Sequence, residues 1–416
     1  MIRHLFKLIW TQRRFNGWIV LELFVVSALM WYIVDYLSVL TITAATPTGF
    51  NIENTYRLTL AVRQENESGY ITYEEDSPEP WQNMQRIAER LRQHPDVEGV
   101  SVGCWHFPYC RSNMSNQFWR DTLKVGTDIL TVTPDYFRVF RVASASDGNP
   151  ETLAQAMERG YVISPAVEER LFPGSSAIGQ TILDKGDSLE MRVTGVTTLM
   201  KRTEYDRPAR FLFVPLDESL LSVETENDLW SSVDICFRVK EGAARNDFAE
   251  RFTREMRPQL QAGNFYLSEI TPLSDYRDVQ LQRAYNTLNY RIGFAVFFLL
   301  NIFLGVIGTF WLRINKRNSE IGLRMAVGSS RRTILWQMVG EGMILLLIAF
   351  LPALVVCLNL VQLDMLPTEY MDITPLRCGL TTLITLSLLV FVVALGTWYP
   401  ARRSSRIEPA EALHYE

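Results

Sequence analysis

Four apolar runs, each long enough to cross a bilayer, decide what this chain can fold into. Residues 292–312 contain no charge in 21 positions, 342–360 none in 19 and 378–399 none in 22. A helix rises about 1.5 Å per residue, so roughly 20 residues cross the hydrocarbon core. Buried helices of soluble proteins are shorter and amphipathic. The first run, 17–40, carries Glu22 near one end and Asp35 near the other. It is too long for the apolar segment of a signal peptide, and Ala44-Ala45 makes a poor cleavage site. Spans are therefore expected at 17–40, 291–312, 334–360 and 378–399, with 1–16 an amphipathic N-terminal segment.

The basic residues orient these spans. Residues 1–17 hold Arg3, Lys7, Arg13 and Arg14 and no acid. The 313–333 connection holds Arg313, Lys316, Arg317, Arg324, Arg331 and Arg332 against Glu320. The tail 400–416 adds Arg402, Arg403 and Arg406, whereas 361–375 has Asp364, Glu369 and Asp372 and no basic residue. Lys and Arg mark cytoplasmic loops. Both termini and 313–333 are thus expected inside, with 41–290 and the 361–377 loop outside. The expectation is a multi-pass protein of the cell inner (plasma) membrane, in contact with lipid.

The segment 41–290 is long enough for a folded domain and carries 36 acidic against 26 basic residues. The chain as a whole has a formal net charge of −5. This acidity excludes a typical nucleic-acid binder. Tyr56 to Val62 alternates like a strand, Pro80-Trp81 opens a helix to about Gln93, and Val97 to Val102 reads as a second strand. A second β-α-β unit is expected over 233–270. Short strands lie between them, so the domain reads as α+β, with two β-α-β halves flanking a strand-rich subdomain at about 104–230. The fold class expected is an α-helical membrane protein with four transmembrane helices and a large α+β extracytoplasmic domain between helices 1 and 2.

No catalytic constellation is legible. Gly174-Ser-Ser-Ala-Ile-Gly179-Gln180-Thr181 looks like a phosphate loop, but Gln180 stands where the phosphate-binding Lys is required. It reads as a glycine turn. Cys104-Trp-His106-Phe-Pro-Tyr-Cys110 leaves three readings open: a Cys104–Cys110 disulfide in an oxidising compartment, two unpaired thiols, or a metal site that lacks a fourth ligand. No metal and no cofactor are expected. Glu22, Asp35 and Glu341 sit near span ends, where snorkelling to the interface explains them. The Gly305–Thr309 face is expected to pack helices together, and Pro352 to kink the third span.

The sharpest signal is the 313–333 connection. In Ser-Glu320-Ile321-Gly322-Leu323-Arg324-Met325, apolar and charged side chains alternate at helical spacing. Gly328-Ser329-Ser330 then breaks the helix, and Ser330 or Thr333 caps the next one ahead of Ile334. The result is an elbow displaying Arg331 and Arg332.

The stretch EIGLRMAVGSSRRTILWQMVGEG resembles the signature of the FtsX/MacB-type permease subunits of ABC transporters. The tail YPARRSSRIEPAEALHYE is similar to that family's ending. VTPDYFRVF, YVISPAVEERLFPGSSAIGQTI and LEMRVTGV look like its MacB-type periplasmic core domain. The resemblance covers nearly the whole chain. It implies a non-catalytic permease subunit that couples ATP hydrolysis to movements of its outer domain, for export or efflux by mechanotransmission. The alternative it leaves is an FtsX-like regulator that signals to an extracytoplasmic partner such as a cell-wall hydrolase without transport.

By the same resemblance, the elbow residues Glu320, Ile321, Gly322, Leu323, Arg324, Met325, Gly328, Ser329, Arg331 and Arg332 dock into the ATPase. The implied partners are a dimer of cytoplasmic ABC ATPase subunits, a second permease chain, the same or related, and a periplasmic adaptor. MacB fuses its ATPase to its N-terminus, whereas the first span here begins at residue 17, so a separate ATPase chain is expected.

Overall fold

A computed structural model describes residues 13–74, 76–110, 114–184, 189–244, 247–315, 323, 327–363, 365, 366, 368 and 370–404. The chain divides into two compact units, Ala44–Arg283 and the remainder.

The first unit contains an eleven-stranded sheet with helices packed on it. In chain order its elements are β1 Thr55–Val62, α2 Glu79–Arg92, β2 Val97–Cys104, β3 Met114–Arg120, β4 Leu123–Val132, α3 Asp135–Val139, α4 Pro150–Met157, β5 Tyr161–Ile163, α5 Pro165–Leu171, β6 Thr181–Asp184, β7 Leu189–Val196, β8 Phe211–Pro215, α6 Glu218–Leu221, α7 Glu226–Ser232, β9 Val233–Val239, α8 Phe248–Met256, β10 Gln261–Ala262 and β11 Phe265–Pro272. α1 and α9 to α11 are the apolar helices described below.

One half of the sheet has the order β11-β1-β9-β2, every neighbour antiparallel. With α2 between β1 and β2, and α8 between β9 and β11, this is the split β-α-β arrangement. Strand β9 is central, and all seven of its residues are buried. α2 starts where Pro80 occupies its first turn, and it buries Trp81, Met84, Ile87, Ala88 and Leu91 at three- and four-residue steps. From α8, Phe248 and Phe252 stack with each other and reach Tyr56 and Phe237 on the sheet.

The other half is inserted between β2 and β9. Strands run β4-β3-β6-β7-β5-β8, and β8 returns to pair in parallel with β4. This ring closes on a core that includes Phe118, Ile163, Phe172 and Leu212. The halves join through Gly103 and Cys104 of β2 against Val132 and Thr131 of β4. Closure removes exposed edges from this subdomain, apart from what its loops cover.

Among the described residues the chain has four long helices, α1 Arg13–Ala45, α9 Leu273–Asn315, α10 Arg331–Gln362 and α11 Pro375–Ser404, and the second unit takes α9 from Ala284 onward. Each is long and apolar enough to cross a membrane. α9 begins at Leu273, well before the apolar run at 292, because residues 273–292 hold no Gly or Pro after Pro272. Its 43 residues give about 65 Å of helix, twice the hydrocarbon thickness. α10 passes through Pro352 without ending.

The helices bury a shared apolar seam that includes Leu23, Met30, Ile302, Leu345, Phe350 and Leu389. Their outward faces are equally apolar: Phe294, Phe297, Leu300 and Leu304 are all more than half exposed. A helix apolar all round belongs in lipid. At Gly396 a Cβ would lie 2.9 Å from Val306 Cγ1, so α11 and α9 approach where only glycine fits. The chain is thus a four-span membrane protein, with an α+β domain between its first and second spans.

Candidate functional site

The elbow between α9 and α10 is built by local chain chemistry. Glu320, Ile321, Gly322, Arg324 and Met325 lie outside the described residues. Leu323 is helical and 57% exposed. Its carbonyl accepts from Val327 N at 3.0 Å, which closes a helical turn. Gly328 follows at φ +101, the left-handed conformation that ends helices and that side chains with a Cβ rarely adopt.

Ser330 then caps α10. Its hydroxyl accepts from Thr333 N at 3.2 Å and bonds Thr333 Oγ1 at 2.8 Å. Arg331 and Arg332 occupy the first turn, exposed. That end of a helix carries a partial positive charge, so two cations there oppose helix formation by roughly 0.3–1 kcal/mol each. Their placement is not explained by helix stability. Val327 is 82% exposed beside them. Behind the elbow, Ile334 and Met338 of α10 form a small buried cluster with Ala401 of α11.

Asp35 departs from the expected snorkelling. It is 2% exposed, and Arg377 on α11 is 4% exposed. Arg377 Nε donates to Asp35 Oδ1 at 3.0 Å and Nη2 to Oδ2 at 2.6 Å, a bidentate pair. Thr381 Oγ1 donates to Asp35 Oδ1 at 3.1 Å, and Arg377 Nη1 reaches the Met371 carbonyl at 2.6 Å. One turn away, Trp31 Nε1 donates to Thr382 Oγ1 at 3.0 Å. Rising numbers on α1 meet falling numbers on α11, so the two helices run antiparallel. Sequence reading missed Arg377 because it lies just before the charge-free run. Glu341 is also buried, at 2%, while Glu22 is half-buried with its carboxylate against Gly305. Buried, neither Asp35 nor Glu341 reaches the interface by snorkelling.

The other motifs are occupied by structure. In the 174–181 turn, Gly174 and Gly179 take positive φ. The amides that would face a phosphate are used: Ala177 N donates to Glu168 Oε1 at 2.8 Å and Gly179 N to the Val193 carbonyl at 2.8 Å. Cys104 packs against the core under α2 and α8, whereas Cys110 packs against a different core that contains Cys236. None of the three is in a disulfide in this structure, and Cys110 Sγ donates to the Trp105 carbonyl at 3.2 Å. Burial pushes the Cys104 thiol up to about 11 and pushes His106 down. Among the described residues no group of three His, Cys, Asp or Glu is placed to hold a metal ion.

Comparison with known proteins follows the same division. Residues 292–409 match the family model described as FtsX-like permease C-terminal, and 37–255 match the MacB-like periplasmic core domain. The chain is 26% identical over 289 residues to the macrolide export ATP-binding/permease protein MacB of Salmonella paratyphi A, covering 68% of this chain and 43% of that protein. Against MacB 1 of Yersinia pestis it is 26% identical over 301 residues, covering 71% and 44%. The chain thus spans less than half the length of these relatives.

Among solved structures, the periplasmic region of MacB from Actinobacillus actinomycetemcomitans aligns at 13% identity and a TM-score of 0.33, covering 53% of this chain and 90% of that one. A domain of a permease protein from Porphyromonas gingivalis aligns at 15% and 0.33, covering 52% and 90%. On the two matched domains, the chain belongs to the FtsX-like permeases of ABC transporters that carry a MacB-like periplasmic core domain.

Proposed function

We propose that this permease couples ATP hydrolysis by a cytoplasmic ABC ATPase to movements of its inserted domain, in export or efflux by mechanotransmission. The observation that carries the reading is the elbow. An exposed apolar face, Leu323 and Val327, and a pair of arginines sit at a glycine-broken, serine-capped turn between two spans. The arginines also follow the cytoplasmic Lys and Arg bias, so the exposed apolar face is the part that a docked ATPase would cover.

The Lys and Arg distribution supports placing this elbow and both termini in the cytoplasm and the 44–283 unit outside. The polar cluster around Asp35 bounds a cavity of only about 10 Å³, room for about one water. That agrees with spans that transmit force. The relatives named for macrolide export favour efflux, with an outer adaptor and a second permease chain as partners. Cys104 and Cys110 lie against different cores, which favours two thiols over a disulfide between them.

The test is reconstitution in nanodiscs with an ABC ATPase. The permease should co-purify with it and raise its ATPase rate. Export then requires a substrate-dependent efflux phenotype. An outer partner bound without any efflux phenotype would instead establish the regulatory, FtsX-like role. No association with any ABC ATPase would overturn both.

A further inference from the structure

The Asp35–Arg377 cluster is the most completely paired polar group within the spans for which geometry is described. The carboxylate takes three hydrogen bonds, and three guanidinium nitrogens donate. Thr381 is fully buried. The Arg377 amide also bonds Thr374 Oγ1 at 3.2 Å, which fixes the start of α11. On α1, Trp31 and Asp35 stand one turn apart on one face, and both reach α11.

Contacts between spans are not equal in what it takes to separate them. Apolar seams slide or part easily, because lipid tails replace the lost contacts. A bidentate ion pair buried between two helices has no such replacement, since parting it leaves two charges without partners. Motion in the spans is therefore directed away from this contact.

We propose that Asp35, Arg377 and Thr381 are positioning residues that hold α1 and α11 together as one body throughout the ATP cycle, so that spans move at their apolar seams. This rests on the coupling function proposed above.

Two measurements separate the claims. The first needs no ATPase. Ser27 and Thr385 are buried on the same two helices, one turn beyond the Trp31–Thr382 contact, at 1% and 0% exposure. In a chain without its native cysteines, Ser27→Cys with Thr385→Cys should cross-link on oxidation in nanodiscs. Adding Asp35→Asn should lower the yield several-fold, and adding Asp35→Arg with Arg377→Asp should recover it. No cross-link with the pair intact, or an unchanged yield in Asp35→Asn, overturns the clasp.

The second uses the ATPase complex. Cross-linking should leave the permease-stimulated ATPase rate within about twofold of the reduced protein; loss on oxidation and recovery on reduction would show that the contact opens. The double apolar variant Asp35→Leu, Arg377→Met should fold and bind the ATPase. Its stimulation should fall at least tenfold. A buried pair that served stability alone would be replaced without loss, so full stimulation in that variant overturns the positioning role. If the unmodified complex shows no stimulation at all, the coupling function fails, while the cross-link yield still judges the clasp.

Discussion

Arg238, the penultimate residue of the central strand β9, donates through Nε to the Val139 carbonyl oxygen at 2.5 Å. The same guanidinium gives Nη1 to the Glu53 carbonyl and Nη2 to the Asn51 carbonyl, both at 2.6 Å. A 2% exposed cation is thus held by backbone oxygens from two separate segments. Burial, with the nearby Arg141 charge, pulls its pKa down to about 10, so it remains charged at neutral pH. Arg238→Met would leave the buried Val139 carbonyl and the part-buried Asn51 carbonyl without this donor, at about 1–3 kcal/mol for the buried one, while the Glu53 carbonyl keeps Thr55 Oγ1 at 3.1 Å. The expected result is a loss of about 1–3 kcal/mol in unfolding of the 44–283 unit. Chemical denaturation of the full chain in nanodiscs, followed by tryptophan fluorescence, measures it. Arg238→Lys should recover only part, because an ammonium cannot span the same fork.

A second prediction concerns pH. Asn264 is fully buried, and clasps Ile71 through its N–H and C=O at 2.8 and 2.7 Å while donating to Glu226 Oε2 at 2.9 Å. Burial raises the Glu226 pKa above 4.5. The folded state therefore holds this proton more tightly than the unfolded chain. The stability it contributes is full below 4.5, falls as pH rises through the raised folded value, and is absent above it. Glu226→Gln keeps the shape without the charge. It should stabilise the unit at pH 7 to 8 and leave it nearly unchanged at pH 4. Thermal melts of both proteins across that range check the sign.

The turn at Gly328 gives a third. Nothing lies within 4 Å of a Cβ placed there, so the obstacle to substitution is the backbone, at φ +101. Gly328→Ala should cost about 1 kcal/mol of local stability, with insertion and abundance unchanged and ATPase stimulation reduced. Asn tolerates positive φ better than Ala, so Gly328→Asn should retain more stimulation than Gly328→Ala. Equal activity of all three proteins would detach the turn from coupling.

What could be read without coordinates was local. Ser330 as a cap, Gly328 as a break, and the helix opened by Pro80-Trp81 all follow from signals within a few residues. The Asp35–Arg377 pair joins positions 342 residues apart. Each residue alone looks like an interfacial charge, and only packing of the first span on the fourth makes them partners. Closure of the inserted ring depends in the same way on β4 finding β8, a register that no run of alternation encodes. The helical start at Leu273 is hidden in the sequence because 273–290 is polar and reads as the end of the outer domain.

Labelling tests the orientation independently. Exposed Ser115 on β3 and exposed Ser330 in the elbow lie in loops or strands of opposite predicted side. Single cysteines at these positions, in a background without native cysteines, should behave oppositely toward an impermeant thiol reagent. Ser115→Cys should react in intact spheroplasts and Ser330→Cys only after lysis. The reverse pattern would put the elbow out of reach of any ATPase.

The last prediction ranks the elbow's own residues. Leu323 and Val327 stand one helical turn apart, 57% and 82% exposed. If the ATPase covers them fully, each contributes about 1.5–3 kcal/mol of apolar burial. Arg331 and Arg332 are exposed, and rim charge pairs contribute about 0–1 kcal/mol each. A change of 1.4 kcal/mol is tenfold in affinity. Val327→Asp also buries an unpaired charge, so it should weaken ATPase binding at least tenfold. Arg331→Ala or Arg332→Ala should weaken it less than about fivefold, in a manner that vanishes at high salt. Both arginine variants should if anything firm up the first turn of α10, since each removes a cation from its positive end. Binding is read by interferometry on permease nanodiscs at 50 mM and 500 mM salt. Arginine losses that exceed the valine loss and persist at high salt would mean that buried, hydrogen-bonded cations, and not an apolar face, hold the ATPase.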